Sequence, residues 1–286
     1  MFGKNTIVGE KFFKDDPENT LRVTSVFYTI QGEGIFSGRP AVFVRLAHCN
    51  LACSFCDTYF DSGELLTFDQ LEVKIMEALK RQFGEKPPVW LFDDEHQLFR
   101  FGMVITGGEP TLQKNLTKWL EHCGNHFDWT QIESNGIVYR ELPQYTTYIV
   151  SPKCSEKNGK AIKYLKPNKK VLDAADCLKF VVSADPDSPY HTIPDWAVEW
   201  AQQTGNDIYI SPMNMYNKLP QQAKTEKDQN QTTIEQRSTV DEVISFWEPG
   251  LLDMQQNQKN HQYAAKYCLD NGFVFNLQAH LYAGLA

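Results

Sequence analysis

Ala41-Val42-Phe43-Val44-Arg45-Leu46-Ala47-His48-Cys49-Asn50-Leu51-Ala52-Cys53-Ser54-Phe55-Cys56 joins a strand to a ligand loop. Ala41–Leu46 is an apolar run of strand length, and it delivers three cysteines spaced C-x3-C-x2-C. Thiolates are soft ligands suited to iron–sulfur clusters and to zinc. Three thiolates around a four-iron cube leave one iron open to bind something else, whereas a fourth would close the site. Zinc is the competing reading, because His48 adjoins Cys49 and could complete a Cys3His set. Structural zinc sites usually draw on two separated pairs, however, and no second C-x2-C follows in the chain. Cys123, Cys154, Cys177 and Cys268 are scattered and read as small buried hydrophobes.

Outward from that loop, apolar runs alternate with helix-like segments, the pattern of βα units around a parallel sheet. Thr67-Phe68-Asp69-Gln70 is a capping box, followed by Leu71, Ile75 and Leu79 at helical spacing. Met103–Thr106 reads as a strand running into Gly107-Gly108-Glu109-Pro110, with a helix over Leu112–Leu120. Gln131–Glu133, Tyr148–Val150, Leu178–Val182 and Ile208–Ile210 read as further strands. Gln262–Asp270 reads as a helix closed by Asn271-Gly272, and Phe273–Gln278 as a last strand. The polar residues of interest fall at strand C-terminal ends, the rim on which β/α barrels build their sites. About six strands are visible rather than eight, so the expected fold is α/β, a partial, open β/α barrel of about six parallel strands. Lys218–Arg237 is rich in Gln, Lys and Thr and reads as an exposed insertion.

Of the 286 residues, 42% are hydrophobic, enough for one substantial core or two small ones. A formal net charge of -8 argues against a sequence-independent nucleic-acid surface, which needs basic patches. Met1–Thr20 has no apolar signal-like core, and nowhere do about 18 apolar residues run together. Seven cysteines, partly clustered, do not resemble a secreted disulfide framework. A cytoplasmic protein in a reducing compartment, bound neither to membrane nor directly to nucleic acid, is expected.

Four blocks together carry a family resemblance. They are Thr29-Ile30-Gln31-Gly32-Glu33-Gly34, Arg45 through Cys56-Asp57-Thr58, Thr106–Pro110, and Gln278-Ala279-His280. With these blocks in this order the chain resembles the 7-carboxy-7-deazaguanine synthases, radical S-adenosylmethionine enzymes of the queuosine-type 7-deazapurine pathway. The resemblance implies a single radical S-adenosylmethionine domain over residues 1–286, with a polar insertion at 218–237. It implies a [4Fe–4S] cluster on Cys49, Cys53 and Cys56, and S-adenosylmethionine on the open iron. Phe55, Asp57, Gly107, Gly108, Glu109, Ser134, Ser151, Lys153 and Pro212 would contact that cofactor. The two glycines would allow close backbone approach, and Glu109 would accept from the methionine ammonium.

The implied substrate is 6-carboxy-5,6,7,8-tetrahydropterin, met by Gln31, Gly32, Glu33, Arg45 and His280. A carboxylate such as Glu33 suits the ring N–H and exocyclic amine of a pterin, and Arg45 suits a substrate carboxylate. Thr58 matches the family's Mg2+ ligand, in keeping with the preference of Mg2+ for oxygen. The implied reaction is a radical ring contraction to 7-carboxy-7-deazaguanine with release of ammonia, a carbon–nitrogen lyase reaction. It calls for a flavodoxin- or ferredoxin-like reductant and, from family habit, a homodimer. Two alternatives remain at this point: another radical S-adenosylmethionine enzyme, such as a glycyl-radical activase, and a zinc-stabilised, non-catalytic binding module. The Gln31–Gly34 block with Arg45 discriminates against an activase, which needs a groove for a protein loop.

Overall fold

A computed structural model describes residues 6–56, 58, 60–85, 88–93, 98–217 and 252–285. The expected insertion at 218–237 and the expected cofactor contact Asp57 lie outside the described residues. The chain enters through β1 (Thr20–Ile30), a strand that the apolar runs did not single out, and turns antiparallel into β2 (Pro40–Leu46). β3 (Glu64–Thr67) pairs with the start of β1 and leads into helix α1 (Phe68–Phe83). The capping box forms as expected: the Thr67 hydroxyl accepts from Gln70 N at 3.2 Å, and the Gln70 side chain accepts from Thr67 N at 2.9 Å. Leu71, Ile75, Ala78 and Leu79 bury the apolar face of that helix.

The remaining strands are β4 (Phe92–Asp93), β5 (Leu98–Gly107), β6 (Phe127–Ser134), β7 (Thr146–Val150), β8 (Cys154–Lys157), β9 (Lys160–Tyr164), β10 (Cys177–Val182), β11 (Ile208–Pro212) and β12 (Val274–Phe275). The main sheet runs β12-β11-β10-β7-β6-β5-β2-β1-β3, with β4 pairing with β5 and with two different edges, so it is not closed. Seven of its strands, β2, β5, β6, β7, β10, β11 and the two-residue β12, pair in parallel. β8 and β9 form a separate antiparallel hairpin. The helices are α2 (Leu116–Cys123), α3 (Lys169–Ala174), α4 (Asp195–Thr204), α5 (Met254–Asn271) and α6 (Ala279–Ala283).

The period of two along each strand divides the molecule. Val42, Val44 and Leu46, Met103 and Ile105, Ile132, and Leu178, Phe180 and Val182 join the helix residues in one core. Each such side chain contributes roughly 1.5–3 kcal/mol by leaving water. The alternate residues form the inner face. Toward the N-terminal ends of the strands it is plugged by Ala41, Val104 and Trp129, with Phe36 stacked on Trp129 at 4.1 Å. Toward the C-terminal ends the same face carries Arg45, Thr106, Glu133 and Lys179, which line a cavity.

Three expected boundaries shift. The helix after Gly107-Gly108 begins with a 3-10 turn over Pro110–Leu112, and α-helix starts only at Leu116. Helix α5 starts at Met254, eight residues earlier than its apolar spacing suggests, because its first turns bury amides: Asn257 and Asn260 donate to the Met215 and Met213 carbonyls. The last strand shrinks to Val274–Phe275, and Gln278 is instead the N-cap of α6. His280 therefore stands on a short helix, not in a strand.

Candidate active site

One cavity of about 240 Å3 opens at the C-terminal ends of the parallel strands. Cys49, Cys53, Cys56, Phe55 and Thr58 reach it from the loop after β2, and Gly107, Gly108 and Glu109 from the end of β5. Ser134, Ser151, Lys153 and Pro212 arrive from β6, β7 and β11, and Gln31, Glu33 and Arg45 from β1 and β2. His280 closes the ring from α6. Sixteen of the eighteen residues expected from the sequence thus meet in one place. Asp57 is not described, and Gly32 meets the others only through His280.

The cysteine loop is held on several sides. Ile7 bridges Cys49 in parallel fashion, and Val8 N donates to the Cys49 carbonyl at 2.9 Å. Cys56 N donates to the Cys53 carbonyl at 3.1 Å. The Cys49 sulfur accepts from Leu51 N at 3.4 Å and from the Asn135 amide at 3.9 Å. Both carboxylate oxygens of Glu156, on β8, accept from Ser54 N at 3.0 Å. Burial and the Glu109 carboxylate push the Cys49 thiol well above its usual range. His48 does not join the sulfurs: its ring packs edge-on against Phe12 at 4.5 Å and Phe13 at 6.0 Å.

Several expected roles change on inspection of the geometry. A Cβ on Gly108 would stand 1.9 Å from the His48 carbonyl oxygen, and one on Gly107, at φ 117°, 2.2 Å from that of Leu46. The two glycines therefore let β5 seat against the root of the cysteine loop, where Gly108 N and Glu109 N donate to Leu46 and His48 carbonyls at 2.8 Å. Gly32 similarly admits His280, whose Nδ1 would lie 2.2 Å from an added Cβ. The Glu109 carboxylate, 1% exposed, is already surrounded: Oε1 accepts from Thr111 N, the Thr111 hydroxyl and the Ser134 hydroxyl, and Oε2 from Asn135 N. Burial pushes its pKa up, against those four hydrogen bonds. Ser134 is a bracing residue as well, because its hydroxyl donates to Glu109 and accepts from Gly136 N at 3.0 Å. Ser151 accepts from the Lys153 ammonium, which also donates to the Ser151 carbonyl at 2.8 Å. Burial lowers the Lys153 pKa.

Lys179 is the residue the sequence reading missed. It is 5% exposed, and its ammonium donates to the carboxylates of both Glu33 and Glu133. Burial alone would lower its pKa, but Glu133 and Glu33 raise it well above the ordinary lysine range. Burial would likewise raise Glu33, and Lys179, His280 and Gln278 together hold it below the usual carboxylate value. Gln31 donates to Glu133 at 3.3 Å and accepts from Glu33 N at 3.1 Å, which fixes the β1 end of this network. A cation inside Leu178-Lys179-Phe180-Val181-Val182 was the available signal, of the same kind as Arg45 in β2. Arg45 itself is half-buried and places its guanidinium 4.7 Å from the Phe27 ring centre. The Phe55 ring meets Tyr190 edge-on at 5.0 Å.

No family model matches the chain. Curated relatives do. The 7-carboxy-7-deazaguanine synthase of Rickettsia prowazekii is 30% identical over 285 residues, covering 100% of this chain and 96% of the relative. That of Rhodospirillum rubrum is 34% identical over 204 residues, covering 68% and 71%. Among solved structures, the crystal structure of QueE from Escherichia coli superposes with a TM-score of 0.53 at 20% identity, covering 96% of this chain and 99% of that one. At that identity the likeness concerns the fold, which agrees with an open, largely parallel sheet. The similarity to the Rickettsia enzyme spans every block that lines the cavity, and the chain belongs to the 7-carboxy-7-deazaguanine synthase family of enzymes.

Proposed function

We propose that this chain is itself a 7-carboxy-7-deazaguanine synthase, a radical S-adenosylmethionine lyase that contracts 6-carboxy-5,6,7,8-tetrahydropterin with loss of ammonia. The observation that carries the reading is one cavity that brings three thiols together with an ionised, lysine-braced Glu33 and with Arg45 and His280.

The donor set fits an iron–sulfur cluster. Among the described residues, the three-membered group of His, Cys or carboxylate ligands whose atoms all lie within 4.8 Å of one another is Asp69, Glu72 and His122. The three cysteine sulfurs are spread more widely than that, whereas a tetrahedral zinc with bonds of about 2.3 Å would draw them to about 3.8 Å. With His48 turned away among phenylalanines, the zinc-module reading is not favoured. Cys49, Cys53 and Cys56 would hold the cluster, and Phe55, Lys153, Ser151 and Pro212 border the space for S-adenosylmethionine. When bound, the two supply one-electron radical chemistry, which belongs to the cofactor.

The chain's own residues bind, orient and exclude. Glu33, kept ionised by Lys179, offers two oxygens to adjacent N–H donors of a pyrimidine edge. Gln31 sets that carboxylate's direction through its bond to Glu33 N. Arg45 supplies positive charge, and Arg45 and His280 supply donors, for a substrate carboxylate. Thr58 offers an oxygen at the rim for Mg2+. The inner-face plug of Trp129, Phe36 and Val104 closes the floor against water.

The test is an anaerobic assay of reconstituted protein with the pterin, S-adenosylmethionine, Mg2+ and dithionite, read by mass spectrometry. A product with the mass of 7-carboxy-7-deazaguanine, absent with Cys53→Ala, is the expected result. Accumulation of 5′-deoxyadenosine alone would show that the substrate is wrong while the cluster stands.

A further inference from the structure

Residues 153–170 hold seven lysines against a single acid, Glu156, in a chain whose formal net charge is -8. Most of that segment is the β8–β9 hairpin and the turn that follows it. Lys157, Lys160 and Lys163 are exposed and make no ion pair among the described residues. The one acid does not neutralise them, because Glu156 is committed to Ser54 through its N–H at 3.0 Å and its hydroxyl at 3.2 Å. Ile162, 54% exposed, adds an apolar contact among the lysines.

The hairpin also touches the cysteine loop. Ser54 lies between Cys53 and Cys56 and is itself exposed, so the loop comes to the surface where Glu156 grips it. Behind that contact, Cys154 and Tyr190 pack against Phe55, and Tyr164 meets Tyr190 at 5.4 Å. A protein seated on the lysines would therefore stand beside the loop without entering the substrate cavity.

We propose that the β8–β9 hairpin is the docking surface for an acidic one-electron carrier protein, with Lys157, Lys160 and Lys163 as its electrostatic contacts. The proposal rests on the cluster reading above. The step is a bare electron transfer. A reduced carrier, such as a flavin hydroquinone anion or a reduced ferredoxin, loses one electron and no proton, and the oxidised cluster gains that electron. Complementary charge steers such encounters and speeds association without requiring a large interface, as suits a carrier that must leave after each transfer.

The experiment reverses the patch with Lys157→Glu, Lys160→Glu and Lys163→Glu together, and uses a bacterial flavodoxin as the probe. Binding is measured by calorimetry at low and high salt, and turnover is measured with either reduced flavodoxin or dithionite. Wild-type affinity should fall with salt, and the variant should bind at least about tenfold more weakly with a flattened salt dependence. Flavodoxin-driven turnover should fall in parallel while dithionite-driven turnover stays at the wild-type level, which also shows that the variant folds. Unchanged flavodoxin affinity in the variant overturns the proposal. So does loss of binding to a tRNA probe with no change toward flavodoxin, which would assign the patch to nucleic acid. Absence of both product and 5′-deoxyadenosine in the dithionite-driven wild type would instead refute the cluster reading, and this proposal with it.

Discussion

Lys179 joins two carboxylates that arrive from different strands, Glu33 after β1 and Glu133 on β6, and it does so almost without solvent. Removing one partner from such a group leaves an uncompensated buried charge, at a penalty of about 3–5 kcal/mol. The linkage signs agree. Glu33's folded pKa lies below its unfolded one, so its stabilisation is present above the unfolded value and is lost as pH falls through the folded value. Lys179's folded pKa lies above its unfolded one, so its share is present below the unfolded value and is lost only as pH rises through the folded value. The network is thus at full strength across neutral pH. In Lys179→Met, Glu33 keeps its burial and loses its main counter-charge, so its carboxyl protonates at higher pH. His280 and Lys153 remain close to Glu33, with Glu133 beside them. Fluorescence titration with 6-carboxypterin at a series of pH values, wild type beside variant, checks this. The loss of affinity toward acid should set in at a higher pH in the variant than in the wild type, with Lys179→Arg restoring much of it. A pH-independent loss in the variant would show that Lys179 acts only on stability.

At the scale of elements, the β8–β9 hairpin is tied to the cysteine loop through one side chain. Glu156 accepts from Ser54 with both oxygens, a charge-assisted contact that fixes the middle of the cysteine loop from outside the main sheet. Glu156→Ala should leave the fold intact, because the hairpin lies off the parallel core, yet loosen the loop. Iron and sulfide per chain after anaerobic reconstitution should drop, and the absorbance near 400 nm should be lost faster in air. Wild-type iron content and air lifetime in the variant would remove Glu156 from that role. Elements with strong local signals were legible in advance: α1 through its capping box, β2 through its apolar run and the loop through its cysteine spacing. Helix α5 was legible only from Gln262 onward, because its first turns bury Asn257 and Asn260 and show no apolar period. The strand expected over Phe273–Gln278 ends at Phe275: Asn276 N still donates to the Ile210 carbonyl, its side chain turns to Gly34 N and the Ser211 hydroxyl, and Gln278 already caps the next helix.

Over the whole molecule, the cysteine loop ties together parts that the sheet alone does not. The N-terminal segment meets it at Ile7 and Val8, the hairpin at Ser54, and the β6 end at Asn135. A group bound to three residues of this loop should stabilise the protein as a whole, since ligand binding to the folded state adds directly to its stability. Anaerobic removal of iron should lower the melting temperature by several degrees in scanning fluorimetry, and Cys53→Ala should be insensitive to the same treatment. Equal melting temperatures would mean that the loop is held by its protein contacts alone. The sequence by itself determined the α/β class and the ligand loop, because each rests on local pattern: strand period, cysteine spacing, glycine before a turn; most of the sixteen residues that gather in the cavity followed from the family resemblance that four short blocks carry. Tertiary structure alone decided what those residues do to one another. A side chain on Gly108 would meet the His48 carbonyl, Ser134 is bound to Glu109, His280 sits on a helix against Gly32, and Lys179 braces Glu33 from β10, 146 residues away in the chain. Burial and charge pairing across distant strands are properties of the folded sheet, and no local pattern encodes them.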